Sequence, residues 1–483
     1  MIGALPLVLY LTAAMPLIAS GILNGRWGED QLNFHEPAIR TFASQLPAPD
    51  LRDYLSATTP GYHLFIAAWS KVAGTSTASM QFAGALFTVA LIGVLSTACA
   101  AYRRHGRVAS ATGDPDQPGG DPVEIAVVPS MVVLPVVCSM YVLQSGVWLL
   151  PDNAGWLGVV AMCVIALRYR ADARTLGLAA IVLPLLILVR QIHVWTAGLA
   201  WLSAWLAFPG SVNDRRPFSL LPLFSSPSRR TRALLLAVVA TLPGFALLAY
   251  FHQLWHGLTP PTFQGQYNGM NPAAPAFILA VFGAASVFFV GFVRHGLGLL
   301  LTKHRVALGV AIVLGVLAGV IPETSYSVEA GRYSGLWALA TKLPLLAGRT
   351  APAIVALAAL GSLMLAAWML SLEFRDRWLL LGAMLGFMLA QSASFQLWQR
   401  YSEPFVLMIL ALMACRTARA TRDERFARLA RVAGPGGLTL ALALLSAATI
   451  YRAPPANSWT FPGDTAGRAS GAAPASPGRA PAD

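Results

Sequence analysis

The sequence predicts an all-α polytopic membrane protein with a single helical domain over 1–452. Three observations carry that expectation. Of 483 residues, 56% are hydrophobic and 11% charged, against about 25% charged in ordinary soluble domains. Apolar runs of roughly 18 to 25 residues, the length that spans a bilayer as a helix, recur along the chain. The runs are continuous, whereas a membrane β-barrel would alternate with period two.

The runs give about thirteen spans, within a range of 11–13, near 3–22, 79–101, 124–145, 153–168, 176–190, 192–208, 233–252, 276–298, 306–322, 351–370, 378–395, 403–415 and 435–451. Segment 61–73 is apolar but short, and is expected to lie at the interface or to re-enter. The first run has no basic n-region and no clear cleavage site, so it reads as a retained span. Segments 109–122 and 453–483, rich in Ala, Pro, Gly and Ser, read as disordered.

The net charge of +13 is explained by topology, and no nucleic-acid partner is expected. With a cytoplasmic N-terminus, the dense basic groups Arg103/Arg104/Arg107, Arg168/Arg170/Arg174, Arg215 to Arg232, Lys303/Arg305, Arg375/Arg377 and the run at 416–431 all fall on the cytoplasmic side. That arrangement requires 176–208 to be two short helices with a turn near Arg190. Cys99, Cys138, Cys163 and Cys415 lie in or at the ends of apolar runs with no metal-ligand spacing, and read as small apolar residues.

The opposite, extracytoplasmic side receives the long loop 23–78, the turns at 149–156 and 189–195, the loop around 253–275, the loop 323–350, and the turn at 395–404. Acids, amides, aromatics and isolated arginines concentrate there. Glu29 and Asp30 follow the first span directly, where a partly dry cleft turns a carboxylate into a usable general base. The bland alternative is an acidic loop marking the outer side. Next comes HEPAIRTFASQL, in which Ile39, Phe42 and Leu46 recur at helical spacing, the pattern of a helix lying along the interface. Asp152 is the only acid between about 125 and 171. It either takes part in chemistry or caps the helix that follows. Arg190, Gln191 and His193 suit a phosphate oxyanion, unless Arg190 merely snorkels. Arg400 and Tyr401 stand beside Glu403, with which Arg400 could simply pair. Tyr326, Glu329, Arg332 and Tyr333 belong to a loop long enough to fold over a substrate.

The first two hundred residues resemble the GT-C glycosyltransferases, and are similar to the eukaryotic dolichyl-phosphate-glucose-dependent α-1,2-glucosyltransferase family. The resemblance rests on an acid pair after the first span, on Phe34, His35 and Pro37, on Thr58-Thr59-Pro60-Gly61-Tyr62, on the run Val189 to Trp195, and on the turn Leu150-Pro151-Asp152. The acid pair here reads Glu-Asp and lies about two residues further from the His, and a His stands near the family's Asn. The C-terminal half matches weakly.

The resemblance implies an inverting, metal-independent transfer of a sugar from a polyprenyl-phosphate donor to a hydroxyl of a glycan or lipid acceptor, with no cofactor. Asp30 is then the base, with Glu29 its competitor, and Asp152 orients the acceptor or the base. Arg190, Arg400 and Arg332 hold the phosphate. His35, Thr58, Thr59, Tyr62, Gln191, His193, Tyr401 and Glu403 contact substrate. The expected setting is a bacterial inner membrane with the tail in the periplasm. The competing expectations are a transporter or flippase of a polar or lipid-linked substrate, which should carry ionisable groups or helix breaks at the bilayer midplane, and a polysaccharide polymerase or ligase.

Overall fold

The computed structural model describes residues 2–109, 122–168, 172–207, 227–267, 269–417 and 425–455. Most of the two segments read as disordered, together with Arg170, Arg215 and Arg216, lie outside the described residues. In chain order the helices are α1 (Leu5–Ser20), α2 (Gly25–Asp30), α3 (Glu36–Gln45), α4 (Gly61–Ala73), α5 (Thr77–Ala109), α6 (Pro122–Cys138) and α7 (Met140–Val147). They continue with α8 (Asp152–Arg168), α9 (Ala173–Val189), α10 (Ala197–Trp205), α11 (Pro227–Trp255), α12 (Gln264–Tyr267), α13 (Ala274–Ser286) and α14 (Val290–Thr302). The last are α15 (Arg305–Val320), α16 (Leu336–Ala340), α17 (Pro352–Ser371), α18 (Phe374–Ser392), α19 (Glu403–Arg416) and α20 (Arg425–Arg452).

The protein is all-α and helical through each predicted apolar run, but the runs are not thirteen straight spans. Among the described residues, five helical stretches are long and apolar enough to cross a bilayer alone: Thr77–Ala101, Pro227–Trp255, Ala274–Thr302, Pro352–Ser371 and Arg428–Arg452. The run 124–145 is a pair, α6 and α7, bent by 68°. Its break falls at Ser139, which is extended (φ −60°, ψ 126°). α19 is only 14 residues long, yet every residue from Glu403 to Cys415 is buried. Enclosed by other helices, it has no hydrocarbon thickness to match. α13 and α17 cross closely enough that a Cβ at Gly361 would stand 1.9 Å from the Leu279 carbonyl oxygen, and one at Gly283 would stand 2.4 Å from that of Leu357. Small residues at such crossings let helix backbones approach in apolar surroundings.

The stretch 176–208 divides as the charge pattern requires. α9 stops at Arg190, which is extended (φ −151°, ψ 107°), and a 3-10 turn over Gln191–Thr196 leads into α10. Three arginines of the predicted cytoplasmic loops close helix C-termini, as cations there should. Arg375 and Arg416 donate to the carbonyls of Ala166 and Leu167 at the end of α8, and Arg230 donates to Trp205 at the end of α10. Asp376 pairs with Arg416 at 3.0 Å.

The other end is built by the first loop. α2, a π turn over Gln31–His35 and α3 form one continuous helical stretch. The expected interfacial helix does not present its apolar face to lipid. Ile39 and Phe42 are fully buried against Tyr54, Tyr62, Ile66 and Trp255. α4, the short apolar segment, supplies Tyr62, Ile66 and Ala67 to that cluster and leaves Phe65 and Val72 outside.

Candidate active site

The end of the molecule opposite the basic loops contains a cavity of about 1170 Å³. Its walls come from stretches far apart in the sequence: Asp30, Phe34 and His35; Thr58; Asp152 and Trp156; Arg190, Gln191, His193 and Trp195; Tyr326 and Tyr333; Gln391; and Trp398, Arg400 and Tyr401. Leu248 of α11 and Leu389 of α18 line its apolar side, and Leu389 is 72% exposed.

The π turn explains how Asp30 and His35 both reach this space. Residues five apart on an α-helix diverge by about 140°. The wider i→i+5 register of a π turn returns them toward one face, and here Glu36 N–H bonds back to the carbonyl of Gln31.

Two carboxylate–guanidinium pairs dominate the polar part. Arg400 donates from Nη1 to Asp30 Oδ2 at 2.6 Å, while Asp30 Oδ1 makes no hydrogen bond among the described residues. Arg190 donates from Nη1 to Asp152. All four side chains are nearly buried, at 6–12% exposure. Both guanidiniums rest on the ring of Tyr401, at 4.7 Å for Arg190 and 4.9 Å for Arg400, and Arg400 also lies 4.2 Å from the ring of Trp398. One aromatic side chain therefore spaces two cations that would otherwise repel, through a contact worth roughly 0.5–2 kcal/mol. Asp152 is the first residue of α8. A carboxylate there also gains from the helix dipole, so the capping and chemical expectations are compatible.

His35 sits among these charges with Nδ1 2.9 Å from His63 Nε2. Burial drives its pKa down to about 4. Asp30 and Asp152 raise it, Arg400 and Arg190 lower it, and burial prevails. Its remaining exposure is to the cavity. A neutral His35 has a measurable consequence. Between pH 6.5 and about 4 the unfolded chain binds a proton at this position that the folded protein refuses. The stability contributed by neutral His35 is complete above pH 6.5 and is lost as the pH falls toward 4. The slope of stability against pH in that window should flatten in His35→Gln. Equal slopes for variant and wild type would rule the assignment out.

The expected site residues divide. Asp30, His35, Thr58, Asp152, Arg190, Gln191, His193, Arg400 and Tyr401 all line the cavity; Glu29, Thr59, Tyr62, Arg332 and Glu403 are not among its lining. Glu29 is buried at 6% exposure. Thr59 donates its hydroxyl to the carbonyl of Ile187 and its N–H to Gln191 Oε1. Gln191 in turn donates to the carbonyls of Ala57 and Leu258, so its amide staples three loops together. Tyr62 is buried under α5 against Phe87. Arg332 turns into its own loop, donating to Ser325 and lying 3.4 Å from Glu323, because the strand-like bridge between Ser327 and Arg332 folds that loop back on itself. Glu403 does not pair with Arg400. It accepts from Ser139 at 2.7 Å and from Gln399 at 2.6 Å, while Arg400 is taken by Asp30.

Trp156, Phe263, Gln391 and Trp398 were not singled out in the sequence, and Trp195 entered only as the end of the run that carries the resemblance. Gln391 carried a usable signal, an amide within an otherwise apolar run. Gly155 also serves the site. A Cβ there would stand 3.0 Å from Arg190 Cδ and 3.2 Å from His193 Nε2, so its absence makes room for both. Among the described residues no three His, Cys, Asp or Glu side chains group as a metal site. No protein-family model matches the chain, and no curated protein or solved structure matches it significantly.

Proposed function

We propose that this chain is an integral membrane glycosyltransferase of the GT-C type, transferring one sugar from a polyprenyl-phosphate donor to a hydroxyl of a glycan or lipid-linked glycan. The observation that carries the reading is a cavity of about 1170 Å³ in which two acidic side chains, each held by an arginine, meet an apolar flank lined by α11 and α18. A lipid phosphate is amphiphilic in the same way, with a charged head for the arginines and a hydrocarbon tail for the flank. The motif residues Phe34, His35, Thr58, Asp152, Arg190, Gln191 and His193, on which the family resemblance rests, face the same space.

In this reading Asp30 Oδ1 takes the proton of the acceptor hydroxyl. The freed oxygen pair attacks the anomeric carbon from the face opposite the phosphate. The bond from that carbon to the phosphate oxygen breaks, and its electrons leave with the lipid phosphate. The configuration inverts. Arg190 and Arg400 offset the charge growing on the phosphate, and the two acids keep these cations folded into the site before the donor arrives. A polyprenyl phosphate is already a good leaving group, so a carboxylate base and two cations are a sufficient set. With the basic end in the cytoplasm, the cavity faces the periplasm of a bacterial inner membrane and the C-terminal tail lies on that side.

The test is a transfer assay on protein purified into lipid, with polyprenyl-phosphate hexoses as donors and a panel of glycan and lipid acceptors. Consumption of a donor with release of polyprenyl phosphate is expected. Intact donors after prolonged incubation, combined with no binding of any lipid phosphate, would remove the reading and favour a transporter.

A further inference from the structure

One wall of the cavity is made of polar groups that the protein itself leaves unsatisfied. His193, 1% exposed, has no hydrogen-bond partner at Nδ1 or Nε2; Trp156, also 1% exposed, has none at Nε1; Gln391, 2% exposed, has none at Oε1; Trp195 has none at Nε1. All four residues line the cavity. They come from three elements: the first turns of α8, the 3-10 turn after α9, and the last turns of α18. The rings of Trp156 and His193 lie 5.0 Å apart, and both tryptophans rest on Phe387 at 6.1 Å.

A buried polar atom without a partner is costly, and native proteins retain few of them. Several at residues lining one cavity single out this wall as the place where a bound ligand would supply the missing partners. The inventory also specifies the ligand. Two indole N–H groups donate, an amide oxygen accepts, and a neutral imidazole does one of each. The unpartnered atoms are all on uncharged side chains, and the neighbouring charges, Asp152 and Arg190, are paired with each other, so this set of atoms suits an uncharged portion of the ligand. Groups that both donate and accept, arranged around a ring with apolar faces, answer this mixture of donors, acceptors and aromatic surfaces. We propose that Trp156, His193, Trp195 and Gln391 form the subsite for the hydroxyls of the transferred sugar ring, an inference that rests on the glycosyltransferase reading. The subsite adjoins Arg190, with which His193 shares the space over Gly155. That adjacency fits a sugar linked directly to the phosphate that Arg190 would hold.

The experiment compares equilibrium binding of undecaprenyl phosphate with that of undecaprenyl phosphates bearing glucose, galactose or mannose, on protein in lipid nanodiscs. Wild type should bind at least one sugar-bearing lipid about tenfold or more tighter than the bare one, since a site built to bond hydroxyls discriminates strongly. Gln391→Met and Trp156→Phe should keep the affinity for bare undecaprenyl phosphate and lose most of that preference. Gln391→Met should also raise the unfolding temperature without ligand, because an apolar side chain of similar shape replaces an unsatisfied one. A wild type that binds bare and sugar-bearing lipid equally, or variants that keep the full preference, would overturn the subsite while leaving the donor class intact. No binding of either lipid would instead overturn the glycosyltransferase reading, and the subsite with it.

Discussion

Asp30→Asn should lower transfer by roughly 10²–10⁴-fold, the usual worth of a positioned general base, and should bind the lipid-phosphate donor more tightly than wild type. The two effects have opposite signs for one reason. If the proposed donor binds here, its phosphate must compete with Asp30 for Arg400, whose Nη1 lies 2.6 Å from Asp30 Oδ2. An asparagine keeps the shape and removes the charge, so the guanidinium turns wholly to the phosphate. Transfer loses its proton acceptor while binding loses a competitor. Glu29→Gln is the matched control. Glu29 is buried and does not line the cavity, and activity per folded molecule should stay within a few-fold of wild type. The measurement is single-turnover transfer alongside donor affinity. Full activity in Asp30→Asn would end the assignment of the base. Weaker donor binding in that variant would instead show that Asp30 serves mainly to position Arg400.

How far the sequence could be read depended on range. Helix content and the split of 176–208 followed from local hydrophobicity and from the charge of neighbouring loops, both written within a few tens of residues. Most of the site was legible for the same reason. Isolated charges and amides at helix ends stand out against an apolar background, and Asp30, Asp152, Arg190 and Arg400 are four of them. Who pairs with whom was not legible. Arg400 lies three residues from Glu403 yet is bonded to a carboxylate 370 positions away. Glu403 is taken by Ser139, 264 positions away. Proximity along the chain favours the short pairing, and only the packing of α19 against α6 decides otherwise. What covers the apolar face at Ile39 and Phe42 was likewise not legible. An amphipathic pattern states that one face is covered and does not say by what, and here Trp255 and α4 cover it. The aromatic wall was only partly visible: Trp195 ends the run that carries the resemblance, whereas Trp156 is indistinguishable, in sequence, from an ordinary core residue.

Arg400→Met should destabilise the protein by about 3–5 kcal/mol, because it strands a buried carboxylate with no cation, and should abolish donor binding in the same variant. Lost activity alone would therefore not separate structure from chemistry. The double variant Asp30→Asn/Arg400→Met does. With both charges gone, the desolvation penalty that dominates the single variant disappears. What remains lost is the stacking of Arg400 on Trp398 and Tyr401, at 4.2 and 4.9 Å, worth only about 0.5–2 kcal/mol. Most of the unfolding temperature should return, whereas donor binding and transfer should not. Arg400→Lys distinguishes charge from fork. The ammonium can still meet one oxygen of Asp30 but not stack on two rings and bridge to a phosphate, so stability should stay close to wild type while donor affinity falls. Thermal unfolding in lipid, paired with donor titration, reads all three variants. If the double variant were as unstable as Arg400→Met, the ion pair would not be what that substitution breaks. If instead the double variant recovered donor binding, Arg400 would have no part in holding the phosphate, and Arg190 would be left to hold it alone.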